Sequence, residues 1–464
     1  MVMFVQIFVK YIFRFFLWST FLLALLTASW YAANRLLDQE SYAGRIDFLV
    51  SAEDVVPDDL NIAIGLLGLS APHDSNYLEF GSKIAKLHKE GNFAQIAKEK
   101  ETVGALELTV SSEDVFCWMY SYGVQHPDCL PLQSTEKVLV ENETILNRLR
   151  SLYSFDRYSN LYRYFHRDLL TLNRLISADI YLHLEKGEHR IAYEKWRDHL
   201  ALSKKMLAGS GEWLDKTIPY LMFTFTLPLL EAIISAKPDL AIEKQAELLA
   251  LLNVEDTKFL NLESVVRADY AFLNLLLDTP PDQESEDVYS SLIWFTFHFG
   301  QKQRILNHFI TFAEKYNNSL RLPWPQSVEA VSRLKDTPTN ASDWDWILDP
   351  YGTYFLKSYL SGNFLVEDTL TQFHAMKGKL RLASLYIKIS ASGLSDDQIA
   401  EFIKAQGSNF FDPLTNKTMR WDKSKRMIYL PHQDSECGVY ESFQIPKENS
   451  PMLLPMARAN NQLC

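Results

Sequence analysis

An uncharged apolar run near the start of the chain dominates the hydrophobic pattern. The run extends from Phe15 to Ala33, and the charged residues Lys10 and Arg14 stand on its N-terminal side. Its nineteen residues would rise about 28 Å as an α-helix, which matches the hydrocarbon thickness of a bilayer. The pattern therefore predicts a transmembrane anchor at this end of the chain.

Aromatic residues and charge set the orientation of this predicted anchor. Phe15 and Trp18 lie near its first end, and Trp30 and Tyr31 lie near its last end, where amphipathic rings favour the headgroup region. Because positive charge precedes the run, the N-terminus stays in the cytoplasm and residues from about 36 onward lie outside it. A cleaved signal peptide is the alternative, although the best cleavage site, residues 27–29, would cut inside the run.

A second apolar stretch is too short to change this topology. Thr217–Leu230 is uncharged over fourteen residues, Pro228 interrupts it, and Glu231 follows it. A membrane-spanning helix needs about 20 apolar residues. We therefore expect a buried core helix here and one membrane crossing in the whole chain.

The rest of the pattern is mainly helical. In residues 136–153 apolar side chains recur at intervals of three and four, as on one face of a helix. Residues 168–207 predict a helical hairpin that turns at Gly187, and Gly187 with Ala192 and Trp196 resembles the turn and second helix of a tetratricopeptide unit. No second copy follows at a fixed period, so we expect an irregular stack of helical hairpins.

Loop signals divide the chain further. Residues 279–287 hold two prolines and four acidic residues, which predicts an exposed boundary. The expected divisions are a cytoplasmic tip with the anchor (1–35), a helical region (36–278) and a second helical region (290–464). Within the last, two alternating stretches around a charged turn predict a small β-hairpin at 418–430. The expected fold class is mainly α with one small C-terminal hairpin.

Composition narrows the classes of partner. Glycine is scarce, with 17 residues, and aromatic residues make up 13% of the chain, which favours packed helices over turn-rich sheets. The net charge is −12 and the acidic residues are scattered along the sequence. An acidic surface repels phosphate backbones, so we expect no nucleic acid partner.

Four cysteines form two pairs that are local in sequence, Cys117 with Cys129 and Cys437 with Cys464. An even number of cysteines in an exported chain favours disulfides. Three connectivities exist, and we favour the local one. The spacing contains no CxxC motif, which argues against a zinc site.

Motifs for chemistry are weak, and none predicts a metal or a cofactor. His183 and His189 lie six residues apart across the Gly187 turn, and a solvated hairpin tip explains them better than a ligand pair. Asp343, Asp345 and Asp349 lie among tryptophans, an arrangement of acids and stacking rings that sugar-cleaving sites use. Acids in such positions more often cap helices.

Three blocks of sequence resemble a group of uncharacterised, membrane-anchored proteobacterial proteins. The blocks are residues 61–72 with Gly81, residues 142–152 with the following hairpin, and residues 349–352 with the turn at 412–417. The resemblance implies a bacterial inner-membrane protein with its bulk in the periplasm, and it implies no particular activity. The turn at 412–417 and the hairpin after it are also similar to the C-terminal region of pseudopilins, but the processing site of that family does not precede the apolar run.

These observations lead to two functional hypotheses. The leading one is a single-pass envelope protein that acts as a non-enzymatic scaffold and holds a protein partner near the membrane, because an anchor and a helical-hairpin body occur without a recognisable catalytic set. The alternative is an envelope hydrolase that acts on cell-wall glycan, with two of Asp343, Asp345 and Asp349 as acid and base.

Overall fold

The structure is a computed structural model that describes residues 17–26, 28–29, 56–90, 92–110, 132–160, 168–253, 262–278, 302–334, 353–354, 357, 366–431 and 442–445. The described part is mainly helical and ends in two small sheets, which confirms the expected fold class at this level. The predicted boundary at 279–287 lies outside the described residues.

The described helices are named here in chain order. In the first half they are α1 (Leu17–Leu26), α2 (Ile62–Gly68), α3 (Tyr77–Lys89), α4 (Phe93–Thr102), α5 (Leu132–Glu141), α6 (Glu143–Ser151), α7 (Leu169–Glu185) and α8 (His189–Ala208). In the second half they are α9 (Trp213–Thr226), α10 (Leu229–Ala236), α11 (Asp239–Glu243), α12 (Gln245–Leu251), α13 (Glu263–Asp278), α14 (Lys302–Leu320), α15 (Gln326–Leu334), α16 (Val366–Ser392) and α17 (Asp396–Ala405). Short 3₁₀ turns occupy Asp58–Leu60, Leu152–Ser154 and Ser408–Phe410.

The chain divides into two compact units. The first contains Met1–Val50, Asp269–Leu322 and Glu329–Val366, and the second contains Ser51–Ala268, Pro323–Val328 and Glu367–Cys464. Residues 367–431 thus belong to the same unit as helices α2 to α12. The main hydrophobic core of the second unit draws on α2, on α5 to α12, on α16 and α17, and on the C-terminal sheets.

The predicted hairpin at residues 168–207 is present as α7 and α8. Gly187 joins the helices with a φ of +75°, a left-handed conformation that glycine adopts without steric cost. The backbone N–H of Glu188 donates to the carbonyl of His183, which satisfies an orphan acceptor at the end of α7. Ala192 and Trp196 are fully buried, and Trp196 Nε1–H donates to the carbonyl of Thr226 at 2.9 Å. Helices α7, α8 and α9 pack against one another.

Helices α2 and α3 cross at very short distance because glycines face each other. A Cβ atom on Gly81 would lie 2.1 Å from the carbonyl oxygen of Ile64, and one on Gly68 would lie 1.8 Å from that of Tyr77. Both neighbours are backbone atoms, which cannot move aside cheaply. The crossing therefore requires glycine at both positions.

Cationic side chains close several helix ends inside the second unit. Arg148 donates to the carbonyls of Leu69, Ala71 and Pro72 after α2. Three lysines make similar contacts: Lys204 with the carbonyls of Ala250, Leu251 and Asn253, Lys205 with those of Tyr153 and Phe155, and Lys216 with those of Leu207 and Gly209. Each places a cation on carbonyls at the end of a helix or turn, where a cationic donor is favourable.

The small C-terminal hairpin is present, with a third strand that sequence analysis missed. Strand β1 (Phe411–Asp412) pairs antiparallel with β2 (Lys417–Thr418), and β3 (Arg420–Asp422), β4 (Met427–Tyr429) and β5 (Ser442–Gln444) form a second antiparallel sheet. Thr418 therefore pairs with Phe411 and does not begin the β3–β4 hairpin. Asp422 closes the turn of that hairpin by accepting hydrogen bonds from Ser424 and from the backbone of Lys425.

Among the described residues, one segment is long and apolar enough to cross a membrane, Leu214–Ala236. It contains the stretch expected to be a core helix, and 67% of its most apolar window is buried. The segment consists of α9 and α10, separated at Pro228, and Met222, Phe223, Leu230 and Ile233 are fully buried. In the folded unit it therefore forms part of the core.

Candidate functional site

Helix α1 presents apolar side chains on all its sides. Seven large apolar residues are between 50% and 67% exposed: Leu17, Trp18, Phe21, Leu22, Leu23, Leu25 and Leu26. The small residues between them are exposed as well. Of the predicted anchor residues, Trp18 is 67% exposed and packs edge to face on Phe21. Phe15, Trp30 and Tyr31 lie outside the described residues.

The exposed area of α1 is larger than a water-soluble surface normally carries. Seven such side chains expose on the order of 700 Å² of apolar surface, whereas the largest patch on a typical monomer covers about 300–600 Å². Covering that surface with an apolar environment would lower the free energy by about 17 kcal/mol relative to its exposure to water. An apolar environment around this helix would be favourable.

The tip of the α7–α8 hairpin carries a charged network rather than a metal site. The ring of His183 lies between Asp179 and Glu188, with Nε2 3.5 Å from Asp179 Oδ1 and Nδ1 2.5 Å from Glu188 Oε2. The other oxygen of Asp179 accepts from Arg150 at 2.8 Å and from Lys195 at 2.5 Å. Within the described part of the chain, no three His, Cys, Asp or Glu residues are placed to hold a metal ion.

Asp179 is the centre of this network and its side chain is only 7% exposed. It binds α6 through Arg150, α8 through Lys195 and its own helix through His183. Removal of one partner from a buried group of charges is strongly destabilising, because it leaves an uncompensated charge. The arrangement positions three helices and gives His183 a structural role.

A second polar cluster is buried where α9 begins. The carboxyl of Asp215 is 3% exposed, and it accepts hydrogen bonds from the Tyr158 hydroxyl, from Asn160 Nδ2 at 2.7 Å and from the backbone N–H of Glu212 at 2.9 Å. Burial raises the pKa of Asp215 to about 7, and the hydrogen bonds oppose this shift. Burial also raises the pKa of the Tyr158 hydroxyl well above its ordinary value.

The residue after Asp215 is a buried cation, Lys216. The ammonium of Lys216, which is fully buried, donates to the carbonyls of Leu207 and Gly209. Together the two residues fasten the end of α8, the start of α9 and the segment at 158–160. An acid with a pKa near neutrality is typical of reactive sites. Here, however, the hydrogen-bond donors surround the carboxyl group of Asp215.

A third cluster is a chain of hydrogen bonds around His199. Burial lowers the pKa of His199 to about 3, so its ring is neutral at physiological pH. Its Nε2 lies 2.6 Å from Asn173 Oδ1 and its Nδ1 lies 3.3 Å from the Tyr153 hydroxyl. The neutral ring therefore donates to Asn173 and accepts from Tyr153. Thr226 also donates to Asn173 Oδ1, at 3.2 Å, so the chain connects α7, α8 and α9.

Sequence analysis missed the Asp215 and His199 clusters because their members are far apart along the chain. Asp215 lies 57 residues from Tyr158, and His199 lies 26 residues from Asn173. The one local signal was Asp215 three residues after Glu212, which is the spacing of a capping box. The fold brings these residues together, and it uses them to connect helices.

Several predicted sites lie outside the described residues. These are Asp343, Asp345 and Asp349 of the alternative hydrolase hypothesis, and the cysteines at 117, 129, 437 and 464. The aromatic residues of α14 are described, and they are core: Phe309 and Tyr316 are fully buried and Phe312 nearly so, with Phe312 stacked on Tyr316 at 5.8 Å.

Comparison of the chain with protein-family models, with curated proteins and with solved structures finds no match in any of the three.

Proposed function

We propose that this protein is a single-pass membrane protein whose helical body serves as a non-enzymatic scaffold for a protein partner in the bacterial cell envelope. The observation that carries the proposal is the exposure of α1. Its large apolar side chains are all at least half exposed, and a bilayer supplies the apolar environment that such a helix needs. Lys10 and Arg14, together with the uncharged run to Ala33, favour a crossing with the N-terminus in the cytoplasm.

The contrast with Leu214–Ala236 supports a single crossing. That segment has the length and composition of a span, but its side chains form the core of the second unit. The body would then lie on the far side of the membrane, which for an inner-membrane protein is the periplasm. The expected disulfides, Cys117–Cys129 and Cys437–Cys464, suit that compartment.

The interior chemistry of the second unit favours a binding body over an enzyme. Burial raises the pKa of Asp215 to about 7 and lowers that of His199 to about 3, and both groups lie in contacts that join helices. Stacked helical hairpins with a rigid core are a common frame for protein recognition. The tetratricopeptide-like character of the α7–α8 hairpin belongs to this proposal.

Membrane anchoring is tested by placing charge in α1. In cells, Leu22→Arg combined with Leu25→Arg should release the chain from alkali-washed membranes, because each arginine near a span's centre costs about 2.5–3.5 kcal/mol. Leu322→Arg is the matched control, since Leu322 is also exposed, at 41%, but lies two residues after the end of α14. Membrane retention of the double variant would contradict the anchor.

The scaffold role is tested by crosslinking in native membranes. The full chain and a chain with residues 15–33 replaced by an unrelated span should capture the same protein partner, because the body makes the contact. Capture that depends on residues 15–33 would show that the partner binds the predicted span and not the body. If neither chain captures a partner, and deletion alters the cell-wall muropeptides, the scaffold hypothesis is wrong.

A further inference from the structure

The apolar segment formed by α9 and α10 is interrupted by one acidic residue. Thr217–Leu230 is uncharged, Glu231 follows, and the next five residues, 232–236, are again uncharged. With an apolar side chain at position 231, the uncharged run would cover twenty residues, 217–236. Such a run rises about 30 Å in a helix, the full hydrocarbon thickness of a bilayer. Glu231 is the one charged residue within 217–236, and it divides a stretch that would otherwise be uncharged over the full length of a span.

Other features of the segment would favour insertion. Lys237 follows it directly. If an exported chain crossed back here, this lysine would arrive on the cytoplasmic side, where positive charge is preferred. Pro228 would not prevent a crossing, because prolines are tolerated in membrane helices.

The folded protein covers the segment with α7 and α8, which precede it, and also with partners that come much later in the chain. Tyr220 packs edge to face on Phe373, with ring centroids 5.7 Å apart. The backbone N–H of Gln444 in β5 donates to Glu231 Oε1 at 3.2 Å, across 213 residues of sequence. Because a chain is made and exported from its N-terminus, the segment meets the bilayer before these partners are available. The sequence itself must keep it out.

We propose that Glu231 is a topological determinant that prevents the segment at 214–236 from entering the membrane during export. The inference rests on the proposed function, since only an exported body offers this segment to the bilayer from outside. A carboxylate within a span costs several times what a leucine gains there. After folding, the same carboxylate accepts the Gln444 N–H and contributes to closing β5 onto α10.

The test uses the full chain with two alternative reporters fused after Cys464. Alkaline phosphatase is active only outside the cytoplasm, and green fluorescent protein is fluorescent only inside it. Glu231→Leu should raise the ratio of fluorescence to phosphatase activity at least about tenfold. Glu231→Lys is the matched control, because it also removes the acceptor of the Gln444 N–H but keeps a charge. Glu243→Leu on α11 is a second control, which makes the same substitution outside the segment. For both controls the ratio of fluorescence to phosphatase activity should equal that of the wild type.

The outcomes separate the inference from the proposed function. If the wild-type chain already places its C-terminus in the cytoplasm, the single-crossing topology is wrong. If the wild type is outside and Glu231→Leu is too, Glu231 is not the determinant. If Glu231→Leu and Glu231→Lys shift the ratio equally, the lost contact with β5 is the cause, and the inference is overturned.

Discussion

Replacement of Asp215 by asparagine is expected to remove a pH dependence from the stability of the second unit. Burial raises the pKa of this carboxyl from 3.8 to about 7, so the folded protein holds its proton more tightly than the unfolded chain does. A group whose pKa is higher in the folded state contributes its full stabilisation of that state below the pKa that it has in the unfolded chain. That stabilisation is lost as the pH rises through the pKa of the folded state. The affected window therefore runs from pH 3.8 to about pH 7.

The size of the effect follows from the two pKa values. Their difference is about 3.2, from 7 − 3.8, which corresponds to about 4 kcal/mol of unfolding free energy. Of this, about 2–3 kcal/mol is lost between about pH 5 and about pH 8. The asparagine variant also loses the hydrogen bond from the Glu212 N–H, which costs about 1–3 kcal/mol at every pH.

The measurement is urea unfolding of the full chain in detergent, followed by circular dichroism from about pH 5 to about pH 8. The quantity of interest is the unfolding free energy of the wild type minus that of Asp215→Asn, and it should fall by about 2–3 kcal/mol over this range. Asp397→Asn is the control, because Asp397 has an 82% exposed side chain in the same unit, and its difference should stay flat.

A difference that stays constant or increases with pH for Asp215→Asn would refute the reasoning. Asp215 accepts three hydrogen bonds, from Tyr158, Asn160 and the Glu212 N–H, and these favour the ionised form. An increase with pH would mean that they outweigh burial and that the pKa lies below 3.8. The experiment thus measures which of the two effects dominates in this cluster.

Three further predictions concern packing and covalent structure. Lys216→Met should lower the unfolding free energy by about 2–4 kcal/mol in urea titrations, because two buried carbonyls lose their donor. Lys204 is the control, because its contacts are partly exposed. An equal loss for Lys204→Met would contradict the prediction. Gly81→Ala should lower the unfolding free energy by at least about 2 kcal/mol, because the new Cβ atom meets the Ile64 carbonyl. Gly393 has open space around it and a φ of +62°, so Gly393→Ala should cost only about 1 kcal/mol. Thermal unfolding measures both. Peptide mapping without reduction should recover the two local cysteine pairs as disulfides, and free thiols would overturn that pairing.

The elements that sequence analysis predicted correctly depend on neighbouring residues. The α7–α8 hairpin turns where a glycine interrupts helical periodicity, and its turn contacts join residues five or fewer positions apart. The β3–β4 hairpin is likewise closed by Asp422 and the residues directly after it. Local turn chemistry of this kind is visible in a single sequence.

The features that were missed depend on residues that meet only after folding. Strand β5 begins thirteen residues after β4 ends and is three residues long, so no periodicity marks it. Asp215 is an ordinary acid at a helix start until Tyr158 and Asn160 approach it from another part of the chain. Long-range packing, which a pattern of apolar residues does not encode in detail, creates both features.

The lysines that close helix ends have a practical consequence for chemical labelling. An ammonium that donates to two or three carbonyls, as those of Lys204, Lys205 and Lys216 do, must break these bonds before its amine can react with an acylating reagent. Lys216 is fully buried, so its acylation also requires the second unit to open, whereas exposed lysines such as Lys137 react at once. The ratio of the two labelling rates, read by mass spectrometry, would report opening of this unit in intact membranes, without purification.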